Sequence, residues 1–192
     1  MESSGSISSY DKILGSMGQI KIHKPVKFFC AVTFSRAFEL NRILEKIESK
    51  FGEIDKKSDI FDFSRYTDYY YPEMGKNLSK QIVAFNILQK PEYLIQSKIQ
   101  SNHLEESFLL NEQRQVNIDP GYLTEAKMVL ATTKDYSHRI YVGKGIFGDL
   151  HLYFENGSFK KQFWTYPDYQ QPVILNFFNN LRIRYREQLQ EI

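Results

Sequence analysis

VKFFCAVTF, residues 26 to 34, is a nearly unbroken apolar run of the length expected for a buried β-strand. Its Val and Phe residues favour an extended backbone and indicate a strand at the centre of a sheet. Cys30, the single cysteine among 192 residues, lies within this run and is interpreted as a small buried apolar group. We therefore expect ordered structure from Pro25 onward.

A helix is predicted directly after this strand. Apolar residues recur there at helical spacing, at Leu40, Ile43, Leu44, Ile47 and Phe51. Ser35 is suited to cap the start of the helix, and Gly52 is suited to end it.

A second strand and a second helix are predicted next. QIVAFNIL at 81 to 88 has strand character, and Pro91 fits the first turn of a helix that continues to about Leu110. The inner stripe of this helix turns polar along its length, in the order Ile95, Ile99, Asn102 or His103, Glu106. Inward polar residues either make structural hydrogen bonds or belong to a site, and the sequence leaves both interpretations open.

The rest of the chain is rich in strand signals. Three strands are predicted at 114 to 118, 127 to 133 and 139 to 142. A hairpin of IFGDLHLYF and SFKKQFW follows, closed by Asn156 and Gly157, a pair that accepts the positive φ of a tight turn. A last helix is predicted from about Gln171.

This order of elements predicts an α+β fold, with a mixed or antiparallel sheet covered on one face by helices. A ferredoxin-like βαββαβ core fits residues 26 to 119 if FDF at 61 to 63 is its second strand, with C-terminal β-hairpins and a closing helix added to it. We expect one domain over residues 25 to 192 and a disordered tail over residues 1 to 24, which open with MESSGSISS.

The composition narrows the classes of function. Lys and Arg number 25 against 23 Asp and Glu, a balance too even for the broad positive field that coats nucleic acid nonspecifically. No apolar stretch approaches the roughly 20 residues that cross a bilayer, so no membrane association is expected. With one cysteine and no secretion signal at the N-terminus, a cytoplasmic location is expected.

Asp119 opens the segment that is richest in polar groups. It precedes Pro120 and Gly121, a combination that commonly forms a turn in which the carboxylate binds backbone amides. The alternative is that this turn presents Asp119 at the edge of the sheet as a metal ligand or general base.

A second polar group follows at the end of a predicted strand. Thr132, Thr133, Lys134 and Asp135 are close in sequence to His138 and Arg139. Such a set could bind a phosphate or carboxylate and move a proton near neutral pH. The alternative is a salt-bridged turn between two strands.

Several of these stretches carry a resemblance to a known family. They are DYYYPEMG at 68 to 75, RQVNIDPGYL at 114 to 123, LATTKDYSHRIY at 130 to 141 and WTYPDY at 164 to 169. From Pro25 to about Arg186 the chain resembles a family of small bacterial and archaeal proteins, domain of unknown function 4416. That family has no established activity, so the resemblance implies no reaction.

The leading hypothesis is a polar cleft that binds an anionic, phosphate-bearing or nucleotide-like small ligand, with hydrolysis of that ligand as an extension. The expected catalytic residues are Asp135, His138 and Asp119. The expected ligand-binding residues are Lys134, Arg139, Arg114, Asn117, Tyr69, Tyr70, Glu73, Asn102, Trp164 and Asp168. The rival hypothesis is a non-catalytic module that binds RNA or a protein, with nucleic acid the less favoured partner.

The chemistry beyond ligand binding is left open by the sequence. It contains neither HExxH nor paired CxxC spacing, so a structural zinc site is not expected, and the sequence leaves any other metal or cofactor unknown. A hard cation held by Asp119, Asp135 and a further carboxylate is one alternative. Another is that the polar residues only hold the fold together.

Overall fold

The computed structural model describes residues 21–36 and 38–192, so the predicted tail lies outside the described residues apart from positions 21 to 24. In the described part of the chain, nine strands form one sheet. They are β1 (Lys27–Ser35), β2 (Ile54–Lys57), β3 (Phe61–Asp62), β4 (Leu78–Phe85), β5 (Val116–Leu123), β6 (Lys127–Thr132), β7 (Arg139–Gly143), β8 (Ile146–Glu155) and β9 (Ser158–Lys161). The helices are α1 (Leu40–Phe51), α2 (Tyr71–Met74), α3 (Tyr93–Glu106) and α4 (Pro172–Gln190), with 3-10 turns at Phe63–Arg65 and Pro167–Gln170.

The sheet runs in the order β2-β4-β1-β5-β6-β8-β7, with β3 on β4 and β9 on β8, and every pairing is antiparallel. β1 lies in the middle of the first four strands, as its apolar sequence predicts. With α1 after β1 and α3 after β4, the order β2-β4-β1-β5 is that of a ferredoxin-like core. The predicted α+β class is therefore confirmed.

Helices cover both faces of this sheet, whereas the sequence analysis placed them on one. Phe28, Cys30 and Val32 pack under α1 and α3. Phe29 and Ala31 point the other way and pack against α4. Since β1 is apolar at successive positions, both of its faces need cover from water.

The second strand of the core differs from the prediction. β2 supplies it, and the predicted FDF segment contributes only the short β3, which pairs farther along β4. Between them Ser58 continues the edge: its backbone N–H donates to Ile82 at 2.8 Å, and its hydroxyl accepts the Ile82 N–H at 2.9 Å. β2, Ser58 and β3 thus form one interrupted edge strand beside β4.

Asp119, Pro120 and Gly121 form no turn, because β5 runs straight through them. A Cβ at Gly121 would lie 2.6 Å from both the Phe29 ring and the Val129 carbonyl oxygen. The glycine therefore serves close packing of strands rather than the positive φ of a turn. The prediction of a turn at the sheet edge is wrong, since Asp119 lies within a strand that pairs with β1.

β5 and β6 separate along their length. β5 pairs with β1 from Val116 to Leu123, but its pairing with β6 runs only from Gly121 to Leu123. Pro120, next to the last paired residue, has no N–H to donate to a neighbouring strand. This separation opens a gap within the sheet.

The other turn prediction is confirmed. Asn156 and Gly157 join β8 to β9 with φ of 49° and 82°, the left-handed region that this type of tight turn requires.

Candidate functional site

A cleft opens at the separation of β5 and β6. It consists of two adjoining cavities of about 270 Å³ and about 300 Å³. Six residues line both of them: Tyr69, Tyr70, Asp119, Leu130, Lys134 and Tyr166. We call the first the polar cavity and the second the aromatic cavity.

Helix α3 supplies one wall of the polar cavity through Lys98, Asn102 and Glu105. Their spacing of four and three residues places them on one helical face. The buried residues of the helix are Leu94, Ser97, Lys98, Ser101 and Glu105, whereas His103 and Glu106 are exposed. The inward stripe is polar as predicted and includes Asn102, but Lys98 and Glu105 belong to it in place of His103 and Glu106.

Asp119 is held by two neighbours in the polar cavity. Lys98 Nζ lies 3.1 Å from its Oδ1 and Asn117 Nδ2 donates to its Oδ2 at 2.7 Å. Burial alone would raise the pKa of Asp119, but the Lys98 charge and these bonds outweigh it and lower that pKa. Because its pKa is lowered, this carboxylate is braced by its neighbours and is a weak base near neutral pH.

Arg114 joins two carboxylates on the opposite side. Its Nη2 lies 2.9 Å from Glu73 Oε2, and its Nη1 lies 3.2 Å from Glu105 Oε2. The Arg114 Nε is buried and has no hydrogen-bond partner within the described residues. An N–H donor is thus left over at the cavity wall.

Glu105 is buried beneath Arg114. Its Oε1 accepts the backbone N–H of Ile118 at 2.7 Å, which fixes the carboxyl between α3 and β5. Burial raises the pKa of Glu105 from an ordinary 4.5 to about 7, against the opposing effect of the Lys98 charge. This carboxyl therefore exchanges its proton near neutral pH.

Asp149 anchors a cluster of cationic and histidine side chains behind the cavity. Arg139 Nε donates to its Oδ2 at 3.0 Å, and His151 Nδ1 lies 3.2 Å from its Oδ1. Burial would raise the pKa of Asp149, but the hydrogen bond from His151 and the charge of Arg139 lower it. Arg139 also donates to the Lys134 carbonyl at 3.1 Å and the Tyr166 hydroxyl at 2.7 Å, so each of its three guanidinium nitrogens makes a hydrogen bond.

Lys134 stands where the two cavities meet. Its ammonium donates to the Tyr69 hydroxyl and lies 4.1 Å from the centre of the Tyr69 ring. Among the cations that line the cleft, it alone makes no ion pair with a carboxylate in the described part of the chain. Its charge is therefore the one in the cleft lining that no carboxylate neutralises within the described residues.

The aromatic cavity is walled by tyrosines and closed below by an ion pair. Lys80 Nζ lies 2.6 Å from Asp168 Oδ2, and both side chains are buried. The Lys80 ammonium also lies 4.7 Å from the centre of the Tyr169 ring. The Tyr169 hydroxyl is buried without a hydrogen-bond partner within the described residues.

The structure brings most of the predicted site residues to this cleft. Those that line it are Asp119, Lys134, Arg114, Asn117, Tyr69, Tyr70, Glu73, Asn102 and Asp168. They come from β5 and the segment before it, from α3, from α2 and the segment before it, and from the segments that follow β6 and β9, which are distant in sequence.

Four predicted residues lie outside the cleft lining. Asp135 is exposed on the loop after β6. His138 stacks on Trp164 with ring centres 5.0 Å apart, and the Trp164 indole N–H donates to the Leu150 carbonyl at 2.8 Å. Arg139 lies behind the wall in the Asp149 cluster. Trp164 is thereby occupied by a protein ring instead of a ligand ring.

Cleft residues that the sequence did not predict include the ionisable Lys80, Lys98, Glu105 and Asp149 and the aromatic Tyr136, Tyr166 and Tyr169. Asp149 lies inside a strand with mainly apolar neighbours, a pattern that signals a buried charge with a partner, whereas Lys80 lies between Ser79 and Gln81 and carries no such signal. Lys98 and Glu105 lie two turns apart on one face of α3, which is the available signal for them.

Two searches of the described residues found nothing. Residues 21–36 and 38–192 contain no group of three or more His, Cys, Asp and Glu arranged to hold a metal ion. Over the same residues, no helix has the length and apolar character needed to cross a membrane.

Fold and cleft together define an α+β protein with a ferredoxin-like half and a ligand-sized cleft at a separation between strands. The chain belongs to the family described as domain of unknown function (DUF4416), whose profile matches residues 24–185. The resemblance found in the sequence is thus confirmed. A search of curated proteins found no significant match, and a search of solved structures found none either.

Proposed function

We propose that the cleft binds an anionic small molecule that carries a phosphate group. The observation that supports this most directly is the set of unused donors around the cleft. In the polar cavity, Arg114 Nε is buried without a partner in the described residues, and the Lys134 ammonium has no carboxylate partner there. A phosphate offers oxygen acceptors to several such donors at once.

The charges of the cleft favour one small anion over an extended polyanion. Lys98, Arg114 and Lys80 are each paired with a carboxylate, and the cleft lining holds five carboxyl groups against four cations, so the cleft presents no net positive charge. RNA binding depends on many unneutralised cations along a surface. The rival function, a module for RNA or a protein, therefore has less support than a small ligand held at Lys134.

Replacement of Lys134 by alanine tests this proposal. The dissociation constants of pyrophosphate and ribose 5-phosphate would be measured by isothermal titration calorimetry. Loss of a charge-assisted hydrogen bond should weaken binding about tenfold or more. Lys134→Arg, which keeps the charge, should bind more tightly than Lys134→Ala.

Lys160→Ala is the matched control, because Lys160 is exposed on β9 and lines neither cavity. It should bind both probes as the parent does. Equal affinity in the parent and Lys134→Ala, or no binding of either probe by the parent, would overturn the proposal.

Hydrolysis of the bound phosphate ester is a second candidate, favoured by Glu105. A carboxyl whose pKa is about 7 can take the proton of a water molecule at neutral pH. The water oxygen would bond to phosphorus, the ester P–O bond would break, and the leaving alkoxide would take a proton from solvent. The assay is release of inorganic phosphate from ribose 5-phosphate, which Glu105→Gln should abolish; no release by the parent rejects hydrolysis and leaves binding intact.

A further inference from the structure

We infer that the ligand of this cleft is a nucleotide, with its base in the aromatic cavity and its phosphate at Lys134. This inference rests on the proposed function and adds that the phosphate-bearing ligand also carries a planar aromatic base. Three features of the aromatic cavity carry it: its rim, its floor and its junction with the polar cavity.

The rim consists of exposed tyrosine rings. Tyr69, Tyr136 and Tyr166 are 54%, 53% and 43% exposed, although each lines a concave surface. Exposed aromatic rings around a hollow offer flat faces to a flat ligand, and stacking of a base on such a ring is tolerant of the base's identity. The rim therefore fits a planar ring in preference to a sugar.

The floor is polar, which argues for a heterocycle over a hydrocarbon ring. The Lys80–Asp168 pair and the unpartnered Tyr169 hydroxyl lie beneath the aromatic walls. A buried hydroxyl without a partner is costly, and a ring nitrogen or carbonyl oxygen would satisfy it. Nucleobases carry such acceptors at the edges of a flat ring.

The junction connects the base to the phosphate. Lys134 lines both cavities, and its bond to the Tyr69 hydroxyl places the ammonium beside one of the rim rings. A molecule with its ring against Tyr69 therefore has the Lys134 charge next to it. The two cavities together fall in the range of about 300 to 1,000 Å³ that is usual for small-molecule sites.

Matched ligands test the ring separately from the phosphate. The probes are the 5′-monophosphates of adenosine, guanosine, cytidine and uridine, with ribose 5-phosphate as the ligand that lacks only the base. By isothermal titration calorimetry, at least one nucleotide should bind about tenfold tighter than ribose 5-phosphate. Equal binding of ribose 5-phosphate and the nucleotides overturns this inference but leaves the phosphate proposal standing, whereas binding of neither overturns both.

Tyr136 locates the ring within the cavity. Its side chain is half exposed and its ring lies 4.4 Å from the Arg139 guanidinium carbon, with no side-chain hydrogen bond among those found in the described residues. Tyr136→Leu removes the ring, and Tyr136→Phe keeps it while it removes the hydroxyl. Tyr136→Leu should weaken nucleotide binding about tenfold and leave ribose 5-phosphate unaffected, and Tyr136→Phe should bind both as the parent does.

Melting temperatures of both variants show whether they are folded. Should Tyr136→Leu bind the nucleotide as tightly as Tyr136→Phe, the proposed position of the base is wrong. Tighter binding of a single-stranded oligonucleotide than of any mononucleotide would also overturn the inference, because the site would then belong to a longer chain.

Discussion

Individual cations in this protein differ sharply in what they are free to do. Arg139 is one of the residues that the sequence suggests as an anion binder, yet its guanidinium donates to Asp149, to Tyr166 and to a backbone carbonyl. Lys134, five positions earlier, projects its charge into the cleft. Neighbours in sequence thus have different roles, because β7 begins at Arg139 and buries it while Lys134 stays on the loop.

Glu105 should make stability fall as the pH rises. Its folded-state pKa of about 7 lies above the ordinary 4.5, so the folded protein holds this proton more tightly than the unfolded chain does. Its contribution is fully present below pH 4.5 and is lost as the pH rises through 7. Relative to Glu105→Gln, the parent should lose about 2 kcal/mol of unfolding free energy between pH 5 and pH 8.

Urea denaturation of both proteins at the two pH values provides the measurement. The comparison with the variant removes the contributions of other groups around the site, notably Lys98, Arg114 and Asp119. Glu106→Gln, a change at the exposed neighbouring residue, should follow the parent. If the free energy of unfolding depends on pH identically in the parent and in Glu105→Gln, then burial does not raise the pKa of Glu105.

At the scale of elements, the cleft exists because two adjacent strands pair over only part of their length. Gly121 brings β5 within close range of Val129 on β6, and beyond it the strands part around Asp119 and Thr132. α3 then fills one side of the gap with Lys98 and Glu105. Polar side chains that would be costly in a continuous sheet are tolerated here because they meet each other.

Gly121→Ala should strongly destabilise the protein. Its new Cβ would lie 2.6 Å from a backbone oxygen, which cannot move without disturbing β6, so we expect a loss of about 2 kcal/mol or more. Gly148→Ala is the control, since its nearest neighbours lie at 3.5 Å and it should change stability by less than about 1 kcal/mol. Equal melting temperatures for these variants would contradict the close approach of β5 to β6.

How much of this the sequence could predict depends on whether the signal is local. Three elements can be predicted because the residues within each segment determine its structure. They are the strand at 26 to 34, the helix from Leu40 to Phe51 and the turn at Asn156. Asp119 was misplaced because Pro and Gly usually mark turns, and their use at a strand separation depends on β6. His138 and Trp164 were assigned to a ligand because nothing local shows that they stack on each other.

At the scale of the whole molecule, one sheet connects two apolar cores. β1 contributes Phe28 and Cys30 to the core under α1 and α3, and Phe29 and Ala31 to the core under α4. Neither core can loosen without exposing residues of the same strand. We therefore expect the ordered chain to unfold as a unit.

Phe178→Ala tests this coupling. Phe178 is fully buried in α4 and touches Phe29 with ring centres 5.1 Å apart, so its truncation should cost about 3 to 5 kcal/mol. Far-ultraviolet circular dichroism and the fluorescence of Trp164, the single tryptophan, should report one shared denaturation midpoint, lowered in the variant. Separate midpoints for the two signals would divide the chain into independently folding parts.

The short pairing between β5 and β6 should also make ligand binding directly measurable in this protein. Three residue pairs, from Gly121 to Leu123, join the ferredoxin-like half to the strands beyond it. A ligand bound in the gap would contact both halves and would stabilise β5 and β6 against local opening. Slowed amide hydrogen exchange along Asn117 to Asp119 would therefore register an occupant before any reaction is known, and a chemical library could be screened on that signal alone.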